Sequence, residues 1–423
     1  MSQAAEEAQR LMTAAANARN RHETAEEIAL LEQVVALVPE HAAAHNALGM
    51  RALAASEFER AQIHFAHATA ADPGAIALWL NLAAAARGLG DVATERDALL
   101  HALENDRRDL TTLVRLAELR HRQGDLTEAA MRWSEVLAVA QAQPERSPAL
   151  EALMQRASAF VARRNADIAR QVKDALTAVP LEHSTLARRR VDAAIAAMFG
   201  QRAIYTNVCS GLHVPFLPAD EFFDRDLFPW LPQIEEQTDV IRQELLALLA
   251  DDRVFEPYVT LEAGAPPNLW SPLDRSPDWT AFHLWRHGEA LEHAQTRCPR
   301  TAAALSALPL ARVSGRMPTA FFSLLKPKAH IPAHTGVSNV RAIVHLPLVI
   351  PPNCRFRVGG ETRSWCEGKA LIFDDTIEHE AWNESESLRA VLIFDVWNPH
   401  LTASERMLLT KFFDTADNQK QFE

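Results

Sequence analysis

The chain has 423 residues, of which 48% are hydrophobic and 23% are charged, and its formal net charge at pH 7 is −12. This length is enough for two or three globular domains, each with its own hydrophobic core. The acidic balance argues against a nucleic-acid binder that relies on bulk positive charge, and no apolar stretch approaches the roughly 18 residues of a transmembrane helix.

The N-terminal sequence has neither the basic region nor the apolar core of a secretory signal. The four cysteines, at positions 209, 298, 354 and 366, form no CxxC pair. We therefore expect a cytoplasmic protein with reduced thiols and with no membrane or nucleic-acid partner. A disulfide or a zinc site that involves Cys354 and Cys366 is the alternative. The many alanines and the excess of arginine over lysine indicate a bacterial source.

The first half of the chain, residues 1–200, is predicted to be helical, because Ala, Leu, Glu and Arg dominate it and Gly and Pro stand between periodic stretches. Its pattern repeats every 34 residues. The repeating positions are Leu48, Leu82 and Leu116, then Phe65, Leu99 and Trp133, and the pairs Gly90-Asp91 and Gly124-Asp125. This period is that of the tetratricopeptide repeat, a pair of helices, and about three such repeats are predicted for residues 24–140.

A stack of helical repeats leaves a concave groove, because each helix pair buries its apolar face only against its neighbours. We expect this groove to bind a peptide or protein partner. The alternative is a scaffold that only packs on the second domain. The histidine pairs His41/His45 and His64/His67 stand at helical spacing without a carboxylate or cysteine beside them, so they are interpreted as surface or core residues rather than metal ligands.

The second half of the chain, residues 205–423, contains more Pro, Phe, Trp and Val, and the domain boundary is expected between Met198 and Pro215. A Gly359-Gly360 pair predicts a hairpin turn. Many short strands separated by turn residues are typical of a sandwich or jelly roll. Strands are predicted at 320–325, 341–350, 354–358, 361–365, 369–373 and 388–397.

Two histidines bracket this strand-rich unit. His334 lies before one predicted strand, His379 follows another, and Arg389 comes ten residues after His379. A jelly roll that binds Fe(II) commonly uses a His-x-Asp/Glu pair and a distal histidine. A buried arginine then pairs with the far carboxylate of 2-oxoglutarate. Here Gly336 stands at the position of the acidic ligand, so the pattern by itself leaves open whether a metal binds.

Three longer stretches contain these residues. They are His334-Thr-Gly-Val-Ser-Asn339-Val-Arg341-Ala-Ile-Val-His345, Trp365-x-x-Gly368-Lys-Ala-Leu-Ile-Phe-Asp374-Asp375-Thr-Ile-Glu-His379-Glu-Ala-Trp382 and Arg389-x-x-x-x-Phe-Asp395-Val-Trp397-Asn-Pro399. The chain from about Pro215 to Pro399 resembles the aspartyl/asparaginyl β-hydroxylase family on these stretches. That family is similar to other Fe(II)/2-oxoglutarate oxygenases but uses two histidine ligands, with glycine where the carboxylate would be.

The resemblance implies a role for individual residues. His334 and His379 match the two iron ligands, and water would complete the coordination. Arg389 matches the arginine that binds the C5 carboxylate of 2-oxoglutarate, with Ser323 as its hydroxyl partner. His345 matches a residue that contacts the C1 carboxylate end.

Three further positions complete the comparison with the family. Trp279, in Asp278-Trp279-x-x-Phe282-x-Leu284-Trp285, matches a tryptophan that faces the active site. Mammalian members carry an arginine where this chain has Ile343, and Arg341, on the same face of the strand, is expected to compensate. Asp374 and Asp375 are interpreted as turn and cap residues without a catalytic role.

The predicted protein is multidomain, with an all-α tetratricopeptide-like domain at 1–200 followed by a double-stranded β-helix (jelly roll) domain with flanking helices at 205–423. Its predicted function is hydroxylation of a C–H carbon with Fe(II), 2-oxoglutarate and O2, foremost the β-carbon of an Asp or Asn residue in a peptide or protein bound by the repeat groove. One alternative is a hydroxylase of a free amino acid, natural product or lipid-like small molecule. The other is a non-catalytic binding protein with a cupin-like module.

Overall fold

The computed structural model describes residues 3–179 and 185–418. The chain divides into two compact units, Met1–Glu182 and His183–Glu423. Each unit has its own hydrophobic core, helical in the first and strand-rich in the second. No helix in the described part of the chain is both long and apolar enough to cross a membrane. The cytoplasmic location stays a prediction.

The helix Thr185–Met198, which the sequence analysis places in the first domain, belongs to the second unit. Its Arg189 donates hydrogen bonds to Glu361 Oε2 at 2.8 Å and to the carbonyl oxygen of Phe222 at 2.6 Å. This helix has the same alanine-rich composition as the helices of the first unit. Its long-range contacts cannot be predicted from the local sequence. The division therefore falls earlier in the chain than we predict.

The first unit is a series of helical hairpins, as the 34-residue period predicts. In the three central hairpins the same sequence columns fall on equivalent helices. The helices are α1 (Gln3–Asn20), α2 (Thr24–Leu37), α3 (Ala42–Ala54), α4 (Phe58–Ala71), α5 (Ile76–Leu89), α6 (Val92–Asn105), α7 (Leu110–Arg122), α8 (Leu126–Gln141) and α9 (Pro148–Thr177).

The repeated Gly-Asp pair forms the turn between the helices of a hairpin. Gly90 and Gly124 have φ angles of 73° and 80°, in the left-handed region that ends a helix without strain only at glycine. Asp91 then accepts a hydrogen bond from the backbone N–H of Thr94, and Asp125 caps α8 in the same way. One dipeptide thus ends the first helix and begins the second.

The repeating apolar columns form the core of the first unit. All six residues of the two columns identified in the sequence are buried: Leu48, Leu82, Leu116, Phe65, Leu99 and Trp133. Glu95, which replaces a small residue of the repeat pattern, is also buried. It accepts a hydrogen bond from Arg122 Nη2 at 2.6 Å, which compensates its charge inside the helical stack.

The second unit combines short helices with two antiparallel sheets. Its helices are α10 (Thr185–Met198), α11 (Leu231–Glu235), α12 (Thr238–Leu248), α13 (Glu292–Arg297), α14 (Pro299–Ser306) and α15 (Ala403–Asn418). Its strands are β1 (Glu256–Pro257), β2 (Trp279–Arg286), β3 (Glu289–Ala290), β4 (Ala320–Leu325), β5 (His330–His334), β6 (Arg341–Val349), β7 (Cys354–Val358), β8 (Glu361–Arg363), β9 (Leu371–Phe373), β10 (His379–Asn383) and β11 (Arg389–Trp397).

The two sheets share one core, which is the arrangement of a jelly roll. The larger sheet has the order β1-β2-β4-β11-β6-β9, with β3 paired to β2, and the smaller has the order β5-β10-β7-β8. Side chains of both sheets pack together, namely Trp279, Leu325, Ile343 and Phe373 from the larger and Ile331, Phe356, Val358 and Ala381 from the smaller. The opposite face of the larger sheet packs against α12 and α14. The predicted fold class is therefore confirmed.

Candidate metal and co-substrate site

A cavity of about 650 Å³ lies in the second unit, lined by residues of both sheets. The two predicted metal ligands reach it from the smaller sheet. Sequence analysis places His334 and His379 outside strands, but they belong to β5 and β10, which pair with each other. The register sets His334 directly opposite His379, and the centroids of the two rings are 4.1 Å apart.

Both imidazoles are oriented by the backbone. The Nδ1–H of His334 donates to the carbonyl oxygen of Pro332 at 2.7 Å, and that of His379 donates to the carbonyl oxygen of Ile377 at 3.0 Å. A neutral imidazole has one N–H, so Nε2 of each ring keeps an unshared electron pair. Metal-binding histidines are typically held in this way, with the second nitrogen fixed by a carbonyl group.

Burial keeps these imidazoles neutral. It lowers the pKa of His334 below its usual value and that of His379 to about 3, with the neighbouring His334 as a further cause for His379. Neutral imidazole is the form that binds a metal, so the pair fits an Fe(II) ion through two nitrogen donors. Within the described residues, no set of three or more His, Cys, Asp or Glu side chains forms a metal-binding group.

The position of the missing carboxylate ligand is taken up by another part of the chain. The backbone N–H of Gly336 donates to the carbonyl oxygen of Asp375, and a Cβ atom at residue 336 would clash with the Asp375 carboxylate. Asp375 lines the cavity and accepts a hydrogen bond from Arg341 Nη2 at 3.0 Å. Its carboxylate therefore faces the cavity as well as belonging to the turn, and the absence of a catalytic role for Asp375 stays a prediction.

Asp374 behaves as a turn residue. Its carboxylate accepts hydrogen bonds from the backbone N–H and the hydroxyl of Thr376, at 3.0 and 2.6 Å. It also accepts one from the side-chain amide of Asn207 at 2.7 Å. Burial raises the pKa of Asp374 to about 6, against these hydrogen bonds.

Arg389 is a buried cation for which the described part of the chain supplies no counter-ion. Its side chain lies on β11, is 1% exposed, and lines the cavity with its guanidinium 4.6 Å from the ring centroid of Trp365. Among the described residues no carboxylate forms an ion pair with it, and its Nε–H has no hydrogen-bond partner. Burial lowers the pKa of Arg389 to about 10, so the group is still charged at neutral pH.

Ser323 connects Arg389 with Trp279. Its hydroxyl oxygen accepts hydrogen bonds from Arg389 Nη1 at 3.3 Å and from Trp279 Nε1 at 3.0 Å. Both nitrogens are obligatory donors, so the hydroxyl proton of Ser323 is free to be donated to a bound ligand. The structure therefore brings all three residues together on adjacent strands β2, β4 and β11.

One face of β6 contributes the remaining predicted residues. Arg341, Ile343 and His345 all line the cavity, as their alternate spacing predicts. Nδ1 of His345 has no hydrogen-bond partner in the described chain, and burial holds the pKa of His345 well below its usual value. Arg341 also donates to Asp395 Oδ2 at 3.4 Å, in addition to Asp375. Burial raises the pKa of Asp395 to about 7.

Several cavity residues were not found by sequence reasoning. Trp270 contacts His334 edge-on, with the ring centroids 4.8 Å apart, and Tyr258 stacks on Trp279 at 3.9 Å. Both lie in irregular segments before β2, where no periodicity marks them. Asp395 was quoted as part of a motif, but its contact with Arg341 depends on the pairing of β6 with β11.

The second unit is similar in sequence to known proteins. Residues 235–399 match the family model of aspartyl/asparaginyl beta-hydroxylase. The mouse aspartyl/asparaginyl beta-hydroxylase is 42% identical over 134 residues, which are 31% of this chain and 18% of that protein. The ornithine lipid ester-linked acyl 2-hydroxylase of Rhizobium tropici is 34% identical over 180 residues, 42% of this chain and 60% of that one. The chain thus covers less than two thirds of either relative.

A comparison of structures found a crystal structure of MamA protein that covers 42% of this chain and 99% of that chain, at 13% identity and a TM-score of 0.31. The family model, by contrast, spans the strands that carry His334, His379 and Arg389. The resemblance seen in the sequence is therefore confirmed. Within the second unit, residues 235–399 are similar to the aspartyl/asparaginyl β-hydroxylase family.

Proposed function

We propose that the second unit is an Fe(II)- and 2-oxoglutarate-dependent hydroxylase. In this proposal His334 and His379 hold the iron, and Arg389 with Ser323 holds the distal carboxylate of 2-oxoglutarate. The observation that carries the proposal is the guanidinium of Arg389, which has no ion pair within the described residues and is buried in the same cavity as two imidazoles with free Nε2 atoms. The match of residues 235–399 to the family model supports the same assignment.

The electrostatics of Arg389 favour a bound anion. A charged group removed from water without a counter-charge destabilises the fold by several kcal/mol, and a carboxylate ligand offsets that loss. The Nε–H of Arg389 and the hydroxyl proton of Ser323 are both available as donors to such a carboxylate. Together they provide charge-assisted hydrogen bonds to one end of a dicarboxylate.

The remaining residues orient the reactants and exclude water. His345 is assigned to the C1 end of the co-substrate, and Arg341 to the polar side of the cavity where relatives carry arginine at the position of Ile343. The rings of Trp270, Trp279 and Phe373 surround this space and keep it apolar. When bound, the iron, 2-oxoglutarate and O2 together supply the oxidising power for C–H hydroxylation, with succinate and CO2 as the other products.

The proposed substrate is the β-carbon of an Asp or Asn residue in a peptide or protein, presented by the helical repeats. The name of the mouse relative, aspartyl/asparaginyl beta-hydroxylase, supports this class. A lipid-like or other small molecule is the second candidate, supported by the relative named as an ornithine lipid ester-linked acyl 2-hydroxylase. A non-catalytic binding role has less support, because both imidazoles keep the nitrogen that a metal requires.

The test is succinate formation from 2-oxoglutarate. The full chain, freed of metal, is loaded with Fe(II) under anaerobic conditions and then exposed to O2, without any added substrate. We expect slow formation of succinate that is lost in His379→Ala and in Arg389→Ala. His330→Ala is the matched control, because His330 lies at the other end of β5, half-exposed and stacked on Trp382. Iron and 2-oxoglutarate binding without succinate, or equal rates in all variants, would contradict the proposal.

A further inference from the structure

Trp365 is buried beside the cavity without lining it. It follows β8, and the turn after it closes through a hydrogen bond of 3.0 Å from the N–H of Lys369 to the carbonyl oxygen of Cys366. Gly368, with a φ angle of 73°, occupies the left-handed position of this turn. The ring of Trp365 stacks on Phe356 of β7, with the centroids 5.3 Å apart and the planes inclined by 18°. A backbone turn and a neighbouring ring therefore fix the orientation of this indole.

The guanidinium of Arg389 lies over the ring of Trp365, 4.6 Å from its centroid. This distance is that of a cation–π contact, in which the negative face of the ring attracts a positive group. Tryptophan provides the strongest such face among the aromatic residues, and the attraction is larger where water is excluded. Arg389 is 1% exposed and Trp365 is 5% exposed, so water screens this contact little.

Arg389 differs from other arginines of this protein that lie over an aromatic ring. Four of those also form an ion pair with a glutamate, namely Arg156 with Glu118, Arg355 with Glu384, Arg357 with Glu378 and Arg363 with Glu361. The described residues supply no carboxylate to Arg389. Within the described chain, its guanidinium is therefore held by the ring of Trp365 and the hydroxyl of Ser323.

A ring face stabilises a guanidinium in a different way from a carboxylate. A carboxylate accepts hydrogen bonds and so occupies the N–H donors of the arginine, whereas a ring in stacking contact leaves those donors free. The Nε–H of Arg389 has no hydrogen-bond partner among the described residues, as this difference requires. An internal ion pair would compete with a carboxylate ligand for the same donors. The ring of Trp365 supports the charge of Arg389 without that competition.

The indole N–H of Trp365 is not used by the described part of the fold. Its Nε1 atom is buried and has no hydrogen-bond partner there. The ring is instead held by packing against Phe356 and, at a centroid distance of 6.2 Å, against His345. Trp365 therefore contributes the face of its ring, which phenylalanine also has and leucine lacks.

We propose that Trp365 is a positioning residue for the co-substrate. Its ring keeps the guanidinium of Arg389 charged and oriented, with donors free for the distal carboxylate of 2-oxoglutarate. This inference rests on the proposed function, in which Arg389 binds that carboxylate. Because Trp365 acts through Arg389, it affects the distal end of the co-substrate alone. A cation–π contact offsets only part of the free energy lost when a charge is buried, so Arg389 still gains from a bound carboxylate.

The test compares two 2-oxo acids that differ at the distal end. 2-Oxoglutarate has the distal carboxylate and 2-oxobutyrate lacks it, while both have the oxo-acid end that chelates a metal. Binding of each acid to the Mn(II)-loaded full chain is followed by water-proton relaxation. We expect Trp365→Leu to weaken the binding of 2-oxoglutarate by about tenfold or more and that of 2-oxobutyrate by less than about twofold. Trp365→Phe should keep most of the affinity for 2-oxoglutarate.

Trp133→Leu is the matched control. Trp133 is also buried and has the guanidinium of Arg156 at 4.6 Å from its ring centroid, but it lies in the first unit. This variant should leave the binding of both acids unchanged. Trp365→Met is made in parallel with the same expectations, because its flexible side chain refills the space if the leucine variant does not fold.

The outcomes separate this inference from the proposed function. If the wild type binds both acids equally well, the proposed role of Arg389 is wrong and the inference falls with it. If the wild type prefers 2-oxoglutarate, the inference alone is overturned by any of three results. These are an equal effect of Trp365→Leu on both acids, a Trp365→Phe variant that behaves like Trp365→Leu, or the same loss in Trp133→Leu. A loss confined to 2-oxoglutarate and recovered in Trp365→Phe supports the inference, whether or not succinate is formed.

Discussion

The backbone of Gly336 lies directly against Asp375, so that a Cβ atom at residue 336 would occupy the space of the Asp375 carboxylate. Glycine at this position therefore does more than omit a carboxylate ligand. It makes room for an acidic side chain from the loop before β10, which is held by Arg341. The cavity thus keeps a carboxylate near the two imidazoles, attached at a different point of the chain.

This relationship predicts that Gly336→Ala is harmful although it adds only a methyl group. The clash with Asp375 is expected to destabilise the second unit by about 1–3 kcal/mol and to weaken Mn(II) binding, measured by calorimetry. Because the obstacle is the Asp375 carboxylate, Asp375→Ala should restore much of the stability in the double variant. Val337→Ala, at the exposed neighbouring position, should change neither quantity. If the changes in the free energy of unfolding of Gly336→Ala and Asp375→Ala simply add in the double variant, this explanation is contradicted.

Arg389→Met is predicted to have opposite effects on the stability of the free protein and on binding of 2-oxoglutarate. Removing a buried cation that has no ion pair in the described part of the chain is expected to raise the free energy of unfolding by about 1–3 kcal/mol. The same substitution should weaken the binding of 2-oxoglutarate by about 100-fold, because the charge-assisted hydrogen bonds are lost. Urea denaturation and anaerobic calorimetry measure the two quantities, with the half-exposed Arg355→Met as control. If Arg389→Met lowers the free energy of unfolding in the absence of 2-oxoglutarate, the result would contradict this prediction and indicate that Arg389 has a partner within the protein.

The sequence predicted those parts of the fold that repeat or alternate. The 34-residue columns lie in the core of the first unit, and the apolar strands β4 and β7 have the predicted bounds. Strands β5 and β10 were missed, because their sequences mix His, Pro, Glu and Asn and show no alternation. They are held as strands by pairing with each other and, for β10, with β7.

Only those residues of the candidate site that belong to a recognisable sequence motif could be predicted. His334, His379 and Arg389 could be selected from their spacing and from the family resemblance. Asp375 could not, since a carboxylate after a strand is usually a turn residue and its contact with Gly336 is long-range.

Asp395 provides a prediction for the pH dependence of stability. Burial raises its pKa to about 7, from an unfolded value near 3.8, so the folded state binds more protons between these values. The proton that the folded state holds on Asp395 therefore stabilises the fold fully below pH 3.8, and this stabilisation is lost as the pH rises to about 7. The Asp395→Asn variant has no such proton to lose. The difference between its free energy of unfolding and that of the wild type should therefore increase in its favour between pH 5 and pH 8. Urea denaturation at both values tests this, with the exposed Asp226→Asn as control, and a constant difference would contradict it.

The first unit offers a test of packing that is independent of the catalytic cavity. A Cβ atom at Gly49 would lie 2.6 Å from the buried ring of Phe65, whereas a Cβ atom at Gly74 would lie 3.7 Å from Asp72 Oδ1. Gly49→Ala is therefore expected to destabilise the helical repeats by about 1–3 kcal/mol, while Gly74→Ala leaves them nearly unchanged. Thermal denaturation followed by helical circular dichroism measures both. Combining Gly49→Ala with Phe65→Leu should recover part of the loss, since the smaller side chain vacates the space that the methyl group takes.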